Sequence, residues 1–372
     1  MVDFALYARA LGWSPQFLGA VLAGGLIFAG LATSLAGPAS DRLGRRPFIL
    51  GYEAIAFAAA LLALASAARP LLALAAILGG YGRGANGGPG FFAVVEQAWL
   101  ARSVPRKGLA RIFSRNSATG FFGTALGAGL AALPAVWARL LPGAVAYRPL
   151  FLLAALGEAA AFLLILLTPD PGSPPVPAQK SAPPLKPEER RLLLRLAGVN
   201  ALNGLGIGLV GPLIPWWFAA RYGVGPAAIG PAMGATLFFS GLVAIGAGWI
   251  GTRFGEVRVV VGMRGVGLGL LVLLPFAPTY AAAILVYGAR LVMNRGSAGP
   301  RQALALGLVS EERRGLAATA NSFSMQIPRA LGPVIAGLLF AAGSFAAPFL
   351  LAAFLQGAYL MLYPRVFAGQ TL

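Results

Sequence analysis

Apolar stretches of similar length, separated by short polar breaks, run through almost the whole chain. Eleven of them can be laid down, at about 15–39, 48–67, 71–100, 112–137, 148–168, 191–219, 226–251, 257–277, 280–306, 317–342 and 345–367. Each comes near the ~20 apolar residues that a helix needs to cross a hydrocarbon core. Backbone polar groups in lipid must bond within their own segment, so the pattern predicts transmembrane helices. It lacks the period-2 alternation of a transmembrane barrel. The expected fold class is therefore an all-α polytopic membrane protein. The one long polar stretch, TPDPGSPPVPAQKSAPPLKPEERR at 168–191, is proline-rich and charged and predicts a linker. It divides the chain into a helical half at 1–168, a linker at 169–190 and a second half at 191–372.

Composition fits this reading: of 372 residues 58% are hydrophobic and 11% charged. A formal charge of +18 would suggest nucleic acid in a soluble protein. Here its placement decides against that. Twenty Lys and Arg fall on the side of the loop at 37–47, five on the other side, and four (Arg83, Arg290, Arg295 and Arg329) inside spans. Such a bias is topogenic and predicts that the linker and C-terminus face the cytoplasm of a cell (inner) membrane. With no cysteine and no histidine, disulfides, thiolate metal sites and the commonest catalytic base are excluded. No metal, cofactor or nucleic-acid partner is expected.

The two halves resemble each other. A shift of 211 residues carries Pro15, Gly19, Leu26, Phe28, Gly30, Arg42 and Gly44 onto identical residues at Pro226, Gly230, Leu237, Phe239, Gly241, Arg253 and Gly255. A shift of 205 does the same for Gln97-Ala98, Asn116-Ser117 and Ala125-Leu126-Gly127. Repeated halves are a transporter signature. The second half has about 20 apolar residues, 192–211, before the position that matches Met1. Residues 1–11 are accordingly expected to be the tail of a first helix, truncated here, giving eleven complete helices and twelve in the native protein.

The densest charge in the first half is GPASDRLGRRP, 37–47. Gly37, Asp41, Arg42, Gly44, Arg45 and Arg46 resemble the loop between helices 2 and 3 of the major facilitator superfamily, with pattern Gly-x-x-x-Asp-Arg-x-Gly-Arg-Arg/Lys. Its second-half copy, GTRFGEVR at 251–258, lacks the acid. RGANGGPG, 83–90, resembles the helix 4 signature, with Asn86 in the place of Gln. On helix 5 the proline of the family's exporters is missing, surviving only in GPVIAG at 332–337. The resemblance implies two pseudo-symmetric six-helix halves, a cytoplasmic latch in the outward-open state, and closest motif similarity to the proton-coupled drug-efflux-like branch. The latch would comprise the loop residues and, as partner for Arg45, Glu96, because Arg102 stands where relatives often place an acid.

Charge at membrane depth is costly, which makes each instance a candidate for function. In the family's fold helices 1, 4, 7 and 10 line the cavity, implying Arg83, Asn86, Asn200, Asn203, Arg290 and Asn294 around it. Arg295 and Gln326 would reach its edge, and Arg329, deep in helix 11, is counted with the cavity. Guanidinium groups match carboxylate or phosphate. Asp3 and Glu158 are the acids well inside the core and, with Arg83, the candidates for proton coupling. The motifs point first to proton-coupled efflux of a small amphipathic compound. The central arginines point to uptake or exchange of a small organic anion, and a membrane sensor that binds without transporting would share these features. A membrane enzyme would need acids or histidines clustered at one face, and none occurs. The expected partners are a small-molecule substrate, protons and the bilayer, with the protein working as a monomer.

Overall fold

The computed structural model of the chain describes residues 3–81, 95–96, 99, 109–169, 187–254, 256–297 and 314–367. Some helix-end side chains, among them 36–38, 41–43, 244–254 and 314–322, lie outside that description. Every regular element among the described residues is a helix. In the first half these are α1 (Asp3–Ala10), α2 (Pro15–Leu43), α3 (Arg45–Ala65), α4 (Arg69–Leu78), α5 (Leu109–Leu130), α6 (Leu133–Trp137) and α7 (Arg148–Leu167). The second half has α8 (Pro187–Val210), α9 (Ile214–Tyr222), α10 (Pro226–Phe254), α11 (Glu256–Leu273), α12 (Tyr280–Gly296), α13 (Arg314–Ala341) and α14 (Ala347–Phe367). Nine segments among the described residues are long and apolar enough to cross a membrane.

Local chemistry sets the boundaries. Pro15 opens α2 behind Ser14, whose hydroxyl accepts the Phe17 amide at 3.3 Å. The helix stops at Gly44, which takes φ +94° before α3 begins, a conformation that a side chain would strain. The expected span 191–219 is broken into α8 and α9 at residues 211–213. Pro212 and Pro215 lack the amides that would carry one helix through. The expected span 112–137 likewise breaks at Ala131 and Ala132, ahead of Pro134.

The internal repeat is visible in the elements. A shift of 211 carries the start of α2 at Pro15 to that of α10 at Pro226, of α3 at Arg45 to α11 at Glu256, and of α4 at Arg69 to α12 at Tyr280. Both α2 and α10 have 29 residues, each entered through a left-handed glycine, Gly12 and Gly223. A shift of 205 carries the start of α5 to that of α13.

The halves meet along two seams that obey the same shifts. Gly19 of α2 lies against the backbone of Pro333 on α13, and Gly337 of α13 against Pro15. In the related seam a Cβ on Gly230 of α10 would fall 2.8 Å from the Ala131 carbonyl carbon and 2.9 Å from the Ala128 oxygen of α5. The 205 shift carries Ala128 to Pro333. Helices in lipid associate through such close backbone approach. Both seams lie at the ends of the helices away from the linker. A large apolar cluster, including Leu18, Leu22, Trp217, Ala336 and Phe340, fills the same region. The structure is therefore sealed on the face opposite the linker.

Candidate functional site

In the first half α1 is buried from Asp3 to Ala8. Its aromatic residues interlock with neighbouring elements: Phe4 with Trp13 at 5.8 Å, Tyr7 with Tyr147 at 5.6 Å and with Phe151 at 5.4 Å. Asp3 lies within electrostatic reach of Tyr147, and its Oδ1 has no hydrogen-bond partner among the described residues. A buried acid in an aromatic surround is a group whose charged form is expensive. Glu158 is half-buried on α7, within electrostatic reach of Tyr81. Arg83 and Asn86 lie outside the described residues.

The second half concentrates positive charge. Arg290 of α12 and Arg329 of α13 are 3% and 8% exposed, and each has an Nε without a hydrogen-bond partner among the described residues. Arg295 of α12 leaves Nη2 in the same condition while its guanidinium packs over the Phe121 ring of α5 at 5.3 Å. These groups share one neighbourhood. Tyr287, one turn before Arg290, lies within electrostatic reach of both Arg290 and Arg295, and Arg329 within reach of Arg295. The arrangement can offer several charged donors to a negatively charged solute, and Arg295 brings the opposite half to the same place.

The asparagines are placed differently from the arginines. Asn200 Nδ2 donates to Ser324 Oγ of α13 at 3.3 Å, and Asn203 Nδ2 approaches Met325 Sδ at 3.7 Å. Asn203 Oδ1 accepts from Arg264 Nη1 at 2.8 Å. Asn294 packs against Gly267 of α11, with Oδ1 unpartnered among the described residues. Gln326 is half-buried on α13.

Arg264 is the residue that sequence reasoning misses, because it counts with the linker-side loop cations. The structure buries it at 3% exposure in α11. Its Nε donates to Ser297 Oγ at 3.2 Å, and its guanidinium lies over the Tyr359 ring at 5.4 Å. Four helices, α8, α11, α12 and α14, are braced at or beside this one side chain. The signal is present in the sequence, since position 264 falls within the expected span 257–277.

At the linker side, the side chains of Gly37, Asp41 and Arg42 lie outside the described residues, although their backbone continues α2 to Leu43. Gly44 makes the turn. Arg45 is half-buried, and Arg46 Nη2 donates to the Leu166 carbonyl in the last turn of α7. Glu96 Oε1 accepts from Asn116 Nδ2 of α5 at 3.3 Å. The expected latch belongs to a state open on the far face, and this structure is sealed there.

A family profile described as Major Facilitator Superfamily matches residues 1–199 and 196–368. No curated protein matches the sequence significantly. Solved structures share the fold at low identity. The nucleoside transporter NupG superposes with a TM-score of 0.70 at 13% identity, covering 100% of this chain and 95% of that one. A D-xylose-proton symporter gives 0.71 at 16% identity, covering 96% and 90%. The human organic anion transporter MFSD10 (TETRAN) gives 0.61 at 17%, covering 97% and 88%.

Proposed function

The chain belongs to the major facilitator superfamily, and from that premise we propose that it is a secondary transporter carrying a small organic anion by alternating access, with proton movement coupled through Asp3. The observation that carries the reading is the group of arginines formed by the buried Arg290 and Arg329 and the half-buried Arg295, each with a buried charged N–H unmatched among the described residues. Unmatched buried donors are costly, and a carboxylate or phosphate supplies the missing acceptors. The paired seams support the transport cycle, because a repeat-related pair of close helix contacts can open as a unit when one half rocks against the other.

Asp3 supports the coupling. An acid at this depth is costly when charged, so proton loading and release depend on which face the carboxyl can reach. Efflux of an amphipathic compound retains the loop and helix 4 resemblances as its support. We place the linker and C-terminus in the cytoplasm on the distribution of Lys and Arg, and treat the single chain as the working unit.

The test is uptake in proteoliposomes loaded at one pH and diluted into another. Radiolabelled small carboxylates and phosphate esters are expected to accumulate, and Arg290→Gln and Arg329→Gln to abolish accumulation. Unchanged anion uptake in both variants would remove the proposal.

A further inference from the structure

Charge balance within the second half says how much negative charge the substrate brings. Residues 191–372 contain three acids, Glu256, Glu311 and Glu312. Glu256 is the first residue of α11, at its linker-side end, and Glu311 and Glu312 precede the start of α13. Thus among the described residues no carboxylate of this half falls within a helix interior, whereas Arg264, Arg290, Arg295 and Arg329 lie within helices.

Arg264 has neutral partners in the Asn203 and Ser297 oxygens and the face of Tyr359. Each of the other three keeps a buried N–H without a partner among the described residues. The first-half acids Asp3 and Glu158 have other surroundings. Asp3 lies within electrostatic reach of Tyr147, on a helix whose Tyr7 packs on Tyr147 and Phe151, and Glu158 within reach of Tyr81. One negative charge would leave two of the three guanidinium groups uncompensated, whereas two leave a single excess charge near the Tyr287 hydroxyl and the Phe121 ring.

Resting on the anion reading above, we infer that the substrate carries at least two negative charges a few bonds apart, as a short dicarboxylate or a phosphate monoester does. Two acceptor groups in one molecule can each take the fork of a separate guanidinium, and a phosphate monoester presents three acceptor oxygens to the same set. The pairing must span α12 and α13, since Arg290 and Arg295 lie on the first and Arg329 on the second.

The experiment is ligand-induced thermal stabilisation of the purified full chain in nanodiscs, with succinate, its monomethyl ester, glycerol phosphate and a neutral dimethyl ester as probes. Charge-assisted hydrogen bonds predict that the dianions bind about tenfold or more tightly than the monomethyl ester. Arg290→Gln and Arg329→Gln are expected to bring dianion and monoanion to within about threefold of each other. Arg290→Lys, which keeps the charge, retains the preference and shows that the substituted site still folds. Equal affinity of wild type for the dianions and the monoester would overturn the charge count and leave the anion reading standing. Failure of every anion to stabilise the protein would overturn both. Whether succinate or glycerol phosphate shows the larger shift then assigns the substrate to carboxylates or phosphates.

Discussion

Arg264 and Arg290 are both buried at 3% exposure in the second half, yet they stand in opposite energetic positions. The first is matched by Asn203, Ser297 and Tyr359, so removing a partner leaves a buried charged donor unsatisfied. Asn203→Leu is expected to cost about 1–3 kcal/mol, read as a fall in the midpoint of thermal unfolding. Arg290 has a donor unmatched among the described residues, and a charge at membrane depth carries an insertion penalty of about 3 kcal/mol. Arg290→Met should therefore leave the protein without ligand as stable as wild type or more so, while losing the preferential binding of dianions. Equal destabilisation by the two substitutions would show that Arg290 is also a brace. The depth of Arg290 and Arg329 was legible in the sequence because a cation inside an apolar run stands out without any knowledge of its neighbours. The partnership of Asn203 with Arg264 was not, since the two lie 61 positions apart and are brought together only by the fold, which packs both α8 and α11 against α14. Glu96 illustrates the same limit. Its charge and membrane level suggest Arg45, and the fold gives it Asn116.

At the scale of helices, the two seams make a sharper statement than any single contact. Gly19 of α2 and Gly230 of α10 occupy equivalent repeat positions and meet equivalent positions of α13 and α5. Neither can accept a Cβ without moving backbone, and rigid helices move as wholes. Gly19→Val together with Gly230→Val is expected to hold the far face open. The chain has no cysteine, so a single Phe121→Cys reporter, placed under Gly241 in the α5 to α10 seam, can be labelled without background. Labelling by a membrane-impermeant maleimide from the far side should rise several-fold in the double variant. No rise would mean that the seams do not govern access. The duplication behind this symmetry was readable from identities at fixed shifts, because proline and glycine mark helix entries and close approaches in both copies. The breaks at 211–213 and at Ala131 and Ala132 were not, since in both places the apolar run continues through the turn and hydropathy alone cannot see a lost backbone bond. The loop at 37–47 was legible as a turn through Gly44. The latch expected there belongs to a state open on the far face.

Over the whole molecule, charge is divided between the halves as well as between the membrane faces. Among the described residues the first half holds acids at depth, Asp3 and Glu158 among them, and the second holds the buried arginines and no acid at that level. An anion bound to the second half and a proton bound to the first therefore act on opposite sides of the surface along which the halves move. This separation predicts that driving force and substrate recognition can be dissociated. Asp3→Asn removes the titratable group while keeping a polar side chain of similar size. It should abolish the accumulation that an imposed proton gradient drives, yet leave exchange of labelled for unlabelled anion, which needs no net proton movement. Wild-type uptake should rise as the pH of the donor compartment is lowered, because the proton-loaded form becomes more populated there, and the Asp3→Asn profile should be flat. The measurement is initial uptake rate against donor pH, paired with counterflow at equal pH. If Asp3→Asn lost counterflow as well, Asp3 would be part of the substrate site or of the fold. If it kept the wild-type pH profile, the proton would move elsewhere, with Glu158 next to be tested in the same assay.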